Sequence, residues 1–310
     1  MTKAALGTAA RRPGGPPERA ATLRPPGILA PPTSPRELLA RLAPELRRRP
    51  FLVVSDFDGT LAPLGLDPWG AAIASRARRA LRRLSGTVGV AVAFLSGRTV
   101  ADLAARVRVG GARYVGNDGL ESGSLARSGR PDRIRVRRVA GFETFVARAD
   151  VLADAVAAAI SEPWLVVERK GPAVTFHYRG APDVPAAGGL VRATVDKLDG
   201  AADFVRHEGA RMLELRPLSA TTKADAVLRL LAEVRPGLAL VLGDGGTDAA
   251  AFVALRTAAG GSAERLVAVS VAVRSHGAPL PAVEQAADSV LASTEAVADL
   301  LGRLARTLAA

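Results

Sequence analysis

The chain has 310 residues, of which 48% are hydrophobic, 4% are aromatic and none is cysteine. This apolar content supports a sizeable core and excludes wholesale disorder, the length points to about two domains, and the lack of cysteine excludes disulfides and thiolate-held metals. The net charge of +12 invites a nucleic-acid reading, but residues 1–49 hold ten Lys or Arg against three Glu, so +7 of it lies in the leading segment.

Residues 1–35 are rich in Pro, Gly and Arg and read as a flexible tail without the apolar stretch of a secretory signal. A helix then begins at "SPRELLARLAPEL", with Ser34 as N-cap and Pro35 in its first turn. Strands are predicted over 51–55, 88–96 and 113–116, and helices near 70–84 and 99–107. The strands are continuous Val/Ala/Leu runs, as expected when helices cover both faces of a parallel sheet, so this part reads as doubly wound α/β. In "SRARRALRRL" (75–84), Leu81 and Leu84 share one helical face and arginines occupy the others, which is the pattern of a solvated helix rather than a DNA footprint. No RNP-like aromatic cluster, zinc-finger spacing or heptad run accompanies it, so no nucleic-acid partner is expected. No uncharged apolar run approaches the ~18–20 residues needed to span a membrane, and a soluble, cytoplasmic protein, monomeric by default, is the expectation.

The rhythm changes after Glu121. A turn-rich "SGSLARSGRPD" leads into a strand (133–139), a helix (142–160), paired strands (164–170 and 173–179) around Gly171–Pro172, a helix near 185–198 and a strand near 203–206. "RMLELRP" (211–217), the helix from Lys223, "LALVLGDGGTD" (238–248), "RLVAVSVA" (265–272) and a closing helix (294–309) resume the α/β pattern. The predicted division is a tail (1–35), a core (36–121), an α+β insert (122–208) and the rest of the core (209–310).

In an open parallel sheet, functional groups collect in the crevice at the carboxyl ends of the strands. Four strand ends or their neighbours carry such groups: Asp56 and Asp58, Ser96, Lys223, and Asp244 with Asp248. A single acid beyond a strand is as often a helix cap, but all four sites in order point to one crevice. Clustered carboxylates need a cation, and an all-oxygen set favours Mg²⁺. Lys223 and the Ser96 hydroxyl add donors for an anion. Together these describe phosphoryl transfer, with one carboxylate as nucleophile and another, two residues on, as acid and base. In the paired strands, Glu168 and Lys170 share one face, as do His177 and Arg179, while Leu165, Val167, Val174, Phe176 and Tyr178 point the other way. Alone this is the pattern of a sheet with one wet face; placed over a phosphoryl-transfer crevice, the polar face reads instead as a lid that contacts the substrate. Metal binding by His177, His207 or His276 is not expected, since none has a second histidine at ligand spacing.

"DFDGT", "LSGR", the isolated Lys223 and "GDGGTD" resemble, in order, the four motifs of haloacid-dehalogenase-superfamily phosphatases. "DGTLAPLGLDPWGA", "VAFLSGRTVADL", "VGNDGLE", "VERKGPAVTFHYR" and "LELRPLSATTKADAV" extend the similarity to the trehalose-6-phosphate phosphatases over about residues 36–305. The resemblance implies a Rossmann-like core with a parallel sheet, an inserted C2-type α+β cap, and Mg²⁺-dependent hydrolysis of trehalose 6-phosphate through an aspartyl-phosphate. It implies Asp56 as nucleophile and Asp58 as acid/base. Mg²⁺ would be held by the Asp56 carboxylate, the Asp58 carbonyl and Asp244. Ser96, Gly97 and Lys223 would grip the phosphate, with Asp248 and Arg98 in support. Asn117, Glu121, Glu168, Lys170, His177 and Arg179 would meet the sugar. Gly245 and Ala249 stand where the family's fourth motif carries acids, Asp118 stands in place of a histidine, and Ala224 replaces the glycine after the lysine. These departures leave two alternatives: another sugar phosphate, such as sucrose or glucosylglycerol phosphate, or a weakened fold kept for binding or regulation.

Overall fold

A computed structural model of the chain describes residues 31–65, 70–209, 211–218, 221–261, 266–275 and 281–309. Most of the expected tail, residues 66–69 of the extended first motif, and His276 lie outside the described residues. In chain order the helices are Pro35–Leu42 (α1), Ser75–Gly86 (α2), Val100–Val107 (α3), Phe142–Ala159 (α4), Val184–Leu198 (α5), Lys223–Val234 (α6), Gly246–Gly261 (α7), Pro281–Ala286 (α8) and Thr294–Thr307 (α9). The strands are Phe51–Ser55 (β1), Val90–Leu95 (β2), Arg113–Gly116 (β3), Glu121–Ser124 (β4), Arg135–Arg138 (β5), Val166–Lys170 (β6), Ala173–His177 (β7), Phe204–Gly209 (β8), Met212–Pro217 (β9), Leu238–Gly243 (β10), Val267–Val273 (β11) and Ser289–Leu291 (β12).

The larger sheet has the order β12-β11-β10-β1-β2-β3-β4-β5, parallel from β12 to β3 and antiparallel beyond. Every residue of β1 and β10 is buried, because each strand has covered neighbours on both faces. Alternation divides them between two cores. Phe51, Val53, Leu238 and Leu240 pack with Leu81, Leu84, Leu301 and Leu304 of α2 and α9. Leu52, Val54, Ala239 and Val241 pack with Val227, Leu230, Phe252 and Leu255 of α6 and α7. The chain leaves β1 for β2 on one side and later returns to β10 on the other. The carboxyl end of β1 is therefore the switch point of the sheet, where a crevice must open. At the start of α1, Ser34 forms the expected cap. Its Oγ accepts from Glu37 N at 3.2 Å while Glu37 Oε2 accepts from Ser34 N at 2.9 Å.

A second, four-stranded antiparallel sheet has the order β6-β7-β9-β8. Val174 and Phe176 of β7 and Leu213 and Leu215 of β9 bury one face of it against α4 and α5. Sheet membership differs from the boundaries read in the sequence. β4 and β5 extend the larger sheet beyond residue 121, and β9, assigned to the core after 209, lies inside the smaller sheet. The turn-rich "SGSLARSGRPD" begins inside β4 and then connects it to β5, and is not an exit from the sheet. β9 alternates, with Leu213 and Leu215 buried on one face. That is the period of a half-covered antiparallel strand rather than of the continuous apolar runs around it. Among the described residues no helix is long and apolar enough to cross a membrane.

Candidate active site

Asp56 follows β1 directly, and its N–H donates to Leu242 O at 2.9 Å, so the ladder with β10 carries it to the crevice floor. A tight turn comes next: Leu61 and Ala62 N–H both donate to Phe57 O at 2.9 Å, and Gly59 N–H donates to Ala62 O at 2.8 Å. Gly59 takes φ +76°, and a Cβ there would stand 1.9 Å from Asp244 Oδ2, so backbone and carboxylate approach in a way only glycine permits. Gly59→Ala is therefore expected to displace Asp244 and lower turnover by roughly 100-fold, the scale of a 1 Å misplacement, while the circular dichroism spectrum stays unchanged.

Lys223 is the first residue of α6, fixed there by a capping box in which Thr222 N–H donates to Asp225 Oδ2 at 2.9 Å and Asp225 N–H to Thr222 Oγ1 at 3.3 Å. Its ammonium donates to Asp56 Oδ1 at 2.7 Å and Asp248 Oδ1 at 2.9 Å. Asp248 sits in the first turn of α7, and its Oδ2 accepts from the N–H groups of Asp244 (3.2 Å) and Gly245 (3.0 Å). Asp56, Asp244 and Asp248 each bring a carboxylate oxygen within 4.8 Å of the others, and all are buried.

The electrostatics of this cluster are unbalanced. Burial, then the carboxylates of Asp248 and Asp244, push Asp56 well above the usual range, with Lys223 opposing. Burial and Asp248 push Asp244 up to about 7. Lys223 is held well above its ordinary value because Asp248 and Asp56 outweigh the effect of burial. Three buried carboxylates against one ammonium leave negative charge without compensation, and all available ligand atoms are oxygen. The residues present fit a hard divalent cation such as Mg²⁺.

Asp58 lines the same crevice but turns toward Arg98, which grips it with two bonds of 2.7 Å (Nε to Oδ2, Nη2 to Oδ1). Arg98 also donates to Asp102 Oδ2 at 2.9 Å and lies over the Phe57 ring at 5.4 Å. Ser96 is buried after β2, and its Oγ accepts from Arg98 N–H at 3.2 Å. Ser96 and Gly97 both border the crevice.

The opposite wall comes from the smaller sheet. Glu168, Lys170, His177, Arg179, Met212, Glu214 and Arg216 line it, while Val174 and Phe176 face away into that sheet's core. Lys170 Nζ donates to Glu214 Oε1 at 3.1 Å and lies 3.5 Å from Glu168 Oε2. Arg179 Nη2 donates to His177 Nδ1 at 3.0 Å; since arginine only donates, the ring proton is on Nε2 and goes to Glu168 Oε2 at 2.8 Å. Burial alone would raise Glu214, but Lys170 and Arg216 pull it down to about 2. Burial would likewise raise Glu168, yet His177 and Lys170 hold it below its ordinary value. The crevice encloses about 270 Å³ between the two walls.

Two residues expected to meet the sugar lie elsewhere. Glu121 is buried away from the crevice, where Oε2 accepts from Val100 N–H at 2.9 Å, at the start of α3, and Oε1 from Arg138 at 3.4 Å. A carboxylate beside a helix N-terminus is a structural anchor. Asn117 has φ +47° and Asp118 has φ +53°, and this left-handed turn brings Asp118, not Asn117, to the crevice. The Asn117 amide is buried under the β6–β7 turn, with Nδ2 3.9 Å from where a Gly171 Cβ would stand. Conversely, Glu214 and Arg216 were not singled out from the sequence. The alternation of "MLELRP" already set them on the face opposite Leu213 and Leu215.

Comparison with known proteins decides the family. The profile described as trehalose-phosphatase matches residues 54–282. The chain belongs to the trehalose-phosphatase family. This is a family of phosphoric monoester hydrolases with the haloacid-dehalogenase fold. A trehalose-phosphate phosphatase of Mycobacterium bovis is 33% identical over 220 residues, covering 68% of this chain and 53% of that protein. A protein of Mycobacterium tuberculosis named an uncharacterized glycosyl hydrolase is 36% identical over 217 residues, covering 67% of this chain and 15% of that protein. The chain thus spans about half, or less, of the length of these curated relatives. The C-terminal domain of C. albicans trehalose-6-phosphate phosphatase superposes with a TM-score of 0.71 at 23% identity, covering 90% of this chain and 99% of that one, and so shares the fold. The matched trehalose-phosphatase region contains both crevice walls, from β1 through α7.

Proposed function

We propose that the protein hydrolyses trehalose 6-phosphate to trehalose and phosphate, with the smaller sheet acting as a cap. The observation that carries this reading is the facing of two unlike walls across one crevice. The Asp56, Lys223 and Asp248 cluster suits a phosphoryl group, and the Glu168, Lys170 and Glu214 surface suits a sugar rich in hydroxyls. Asp56 attacks phosphorus while the bond to the sugar oxygen breaks, and Asp58, turned from Arg98 into the crevice and protonated, delivers its proton to that oxygen. Water then attacks the aspartyl-phosphate, its proton passing to Asp58, which frees phosphate and restores Asp56. Lys223, with the Ser96 hydroxyl and the Gly97 backbone, orients the phosphoryl oxygens. Asp56 and Asp244, with Asp248 beside them, would hold Mg²⁺, which supplies Lewis-acid stabilisation of charge on those oxygens.

A panel of trehalose 6-phosphate, sucrose 6-phosphate, glucosylglycerol phosphate and a small aryl phosphate, assayed for phosphate release with and without Mg²⁺, tests the proposal. Trehalose 6-phosphate is expected to give the highest kcat/KM. A higher value for another sugar phosphate would reassign the substrate, and no release from any would remove the enzymatic reading. Lys170→Ala should depress hydrolysis of trehalose 6-phosphate by about 10- to 150-fold, the worth of one charged hydrogen bond of ~1.5–3 kcal/mol. Aryl phosphate does not reach that wall and should change much less. Equal losses for both would show that Lys170 serves the fold, through its contact with buried Glu214, and not the sugar.

A further inference from the structure

An ion pair crosses the crevice between the two sheets. Arg216 belongs to β9 of the smaller sheet, and its guanidinium is first oriented within that sheet, donating to Glu214 Oε2 through Nη2 at 2.6 Å and Nε at 3.1 Å. Its Nη1 pairs with Asp118 Oδ2 of the larger unit. Asp118 is buried at the turn after β3 and takes φ +53°, a left-handed conformation that Asp and Asn tolerate better than most side chains. That turn is tied to the phosphate-side loop by two backbone bonds, Asn117 N–H to Arg98 O at 2.8 Å and Asp118 N–H to Ser96 O at 3.0 Å. Gly97 borders the contact: a Cβ there would stand 3.4 Å from Arg216 Nη2 and 3.7 Å from Asp118 Oδ2, in van der Waals contact, so the pair lies directly against the loop.

We propose that Asp118 and Arg216 are a positioning pair that latches the smaller sheet over the crevice and sets its spacing from Ser96 and Gly97. The inference rests on the reading of the smaller sheet as a cap. The latch joins three things in series: the sugar-facing wall through Glu214, the guanidinium, and the loop that carries Ser96. A ligand that bridges both walls gains from having their separation fixed in advance, because less ordering remains to be done on binding. A small phosphate ester touches one wall and gains little. The contact between Asp118 and Arg216 is an ion pair, so the latch depends on the charge of both partners. Partial burial strengthens that pair, and removal of Asp118 leaves Arg216 still compensated by Glu214, so the fold survives its loss.

Because the natural chain has no cysteine, two introduced thiols report on the latch without background. Val88, 94% exposed beside β2, and Val151, 70% exposed on α4, place one spin label on each unit. In the full chain carrying Val88→Cys and Val151→Cys, double electron–electron resonance without ligand is expected to give one narrow distance distribution. Asp118→Asn, similar in shape and equally suited to the left-handed turn, should broaden it and lengthen its mean, and Asp118→Glu should restore it in part. Arg216→Gln should reproduce the broadening from the other side. In the unlabelled protein, Asp118→Asn should lower kcat/KM for trehalose 6-phosphate about 10-fold more than for an aryl phosphate, as loss of the ion pair to Arg216 loosens the spacing of the two walls. An unchanged distance distribution in both Asp118→Asn and Arg216→Gln would overturn the latch. The distance measurement needs no turnover, so a wild-type protein inactive on trehalose 6-phosphate would count against the proposed reaction and leave the latch to be judged on distances alone.

Discussion

Asp56→Asn is expected to reduce phosphate release by roughly 10⁴-fold or more, the scale on which loss of a covalent nucleophile acts. The amide cannot attack phosphorus, and it offers a cation a weaker ligand than a carboxylate. The stability effect should have the opposite sign from that of an ordinary buried substitution. Asp56 is held well above the usual carboxylate range by burial and by Asp248 and Asp244, so its charged form opposes folding when no cation is bound. In the variant Lys223 loses one charged partner, though the amide oxygen can still accept, and it keeps Asp248 at 2.9 Å. In metal-free buffer at pH 8 the Asn variant should melt at or above the temperature of the wild type. Activity within tenfold of wild type, with mass spectrometry excluding deamidation, would remove Asp56 from its role. A large drop in melting temperature would show that the Asp56–Lys223 contact at 2.7 Å outweighs the repulsion among the carboxylates.

Most of the parallel part of the fold was legible because its central strands are buried on both faces and read as unbroken apolar runs, as in "FLVVS" and "LALVL", whereas the three-residue β12 at the edge is too short to read. The carboxylate-rich end of the crevice was legible for a related reason. Asp56, Ser96, Lys223, Asp244 and Asp248 stand at strand ends or in the first turn of a helix, so their position follows from the element before or after them. The hairpin wall also followed from local alternation, which sends Glu168, Lys170 and His177 one way and Val174 and Phe176 the other. What was not legible depended on long-range pairing. The alternation of β9 marks a half-covered antiparallel strand but not which sheet it joins, and by joining the smaller one it brings Glu214 and Arg216 to face Lys170 and Asp118. Glu121 and Asn117 were misplaced because two successive left-handed residues rotate the chain after β3. Motif similarity names residue types at such a turn but not which side chain points inward.

Chelation of Mg²⁺ is expected to abolish turnover and, in the same samples, to uncover a pH-dependent loss of stability. The sign follows from linkage. Asp244 has an ordinary value of 3.8 and is pushed up to about 7 in the folded chain by burial and Asp248, and Asp56 is raised in the same direction. A carboxyl raised on folding binds its proton more tightly in the folded state, so its contribution is fully present below the unfolded value and is lost as pH rises through the folded one. Without metal, the melting temperature should therefore fall between about pH 4 and pH 7, with groups outside the cluster adding their own smaller slopes. A divalent cation held by Asp56, Asp244 and Asp248 requires their ionised forms, so saturating Mg²⁺ should flatten this decline and raise the melting temperature more at pH 7.5 than at pH 5. At 100 times its dissociation constant the ion contributes about 2.7 kcal/mol, which at ~2.1 cal/mol/K of unfolding entropy per residue is about 4 °C for a chain of this size. The cluster variant Asp244→Asn supplies the control, since it removes both a ligand and a raised carboxyl. It should show a shallower metal-free slope and a smaller Mg²⁺-induced rise. An equal Mg²⁺ effect at both pH values, or one that Asp244→Asn leaves intact, would place the ion outside the three carboxylates.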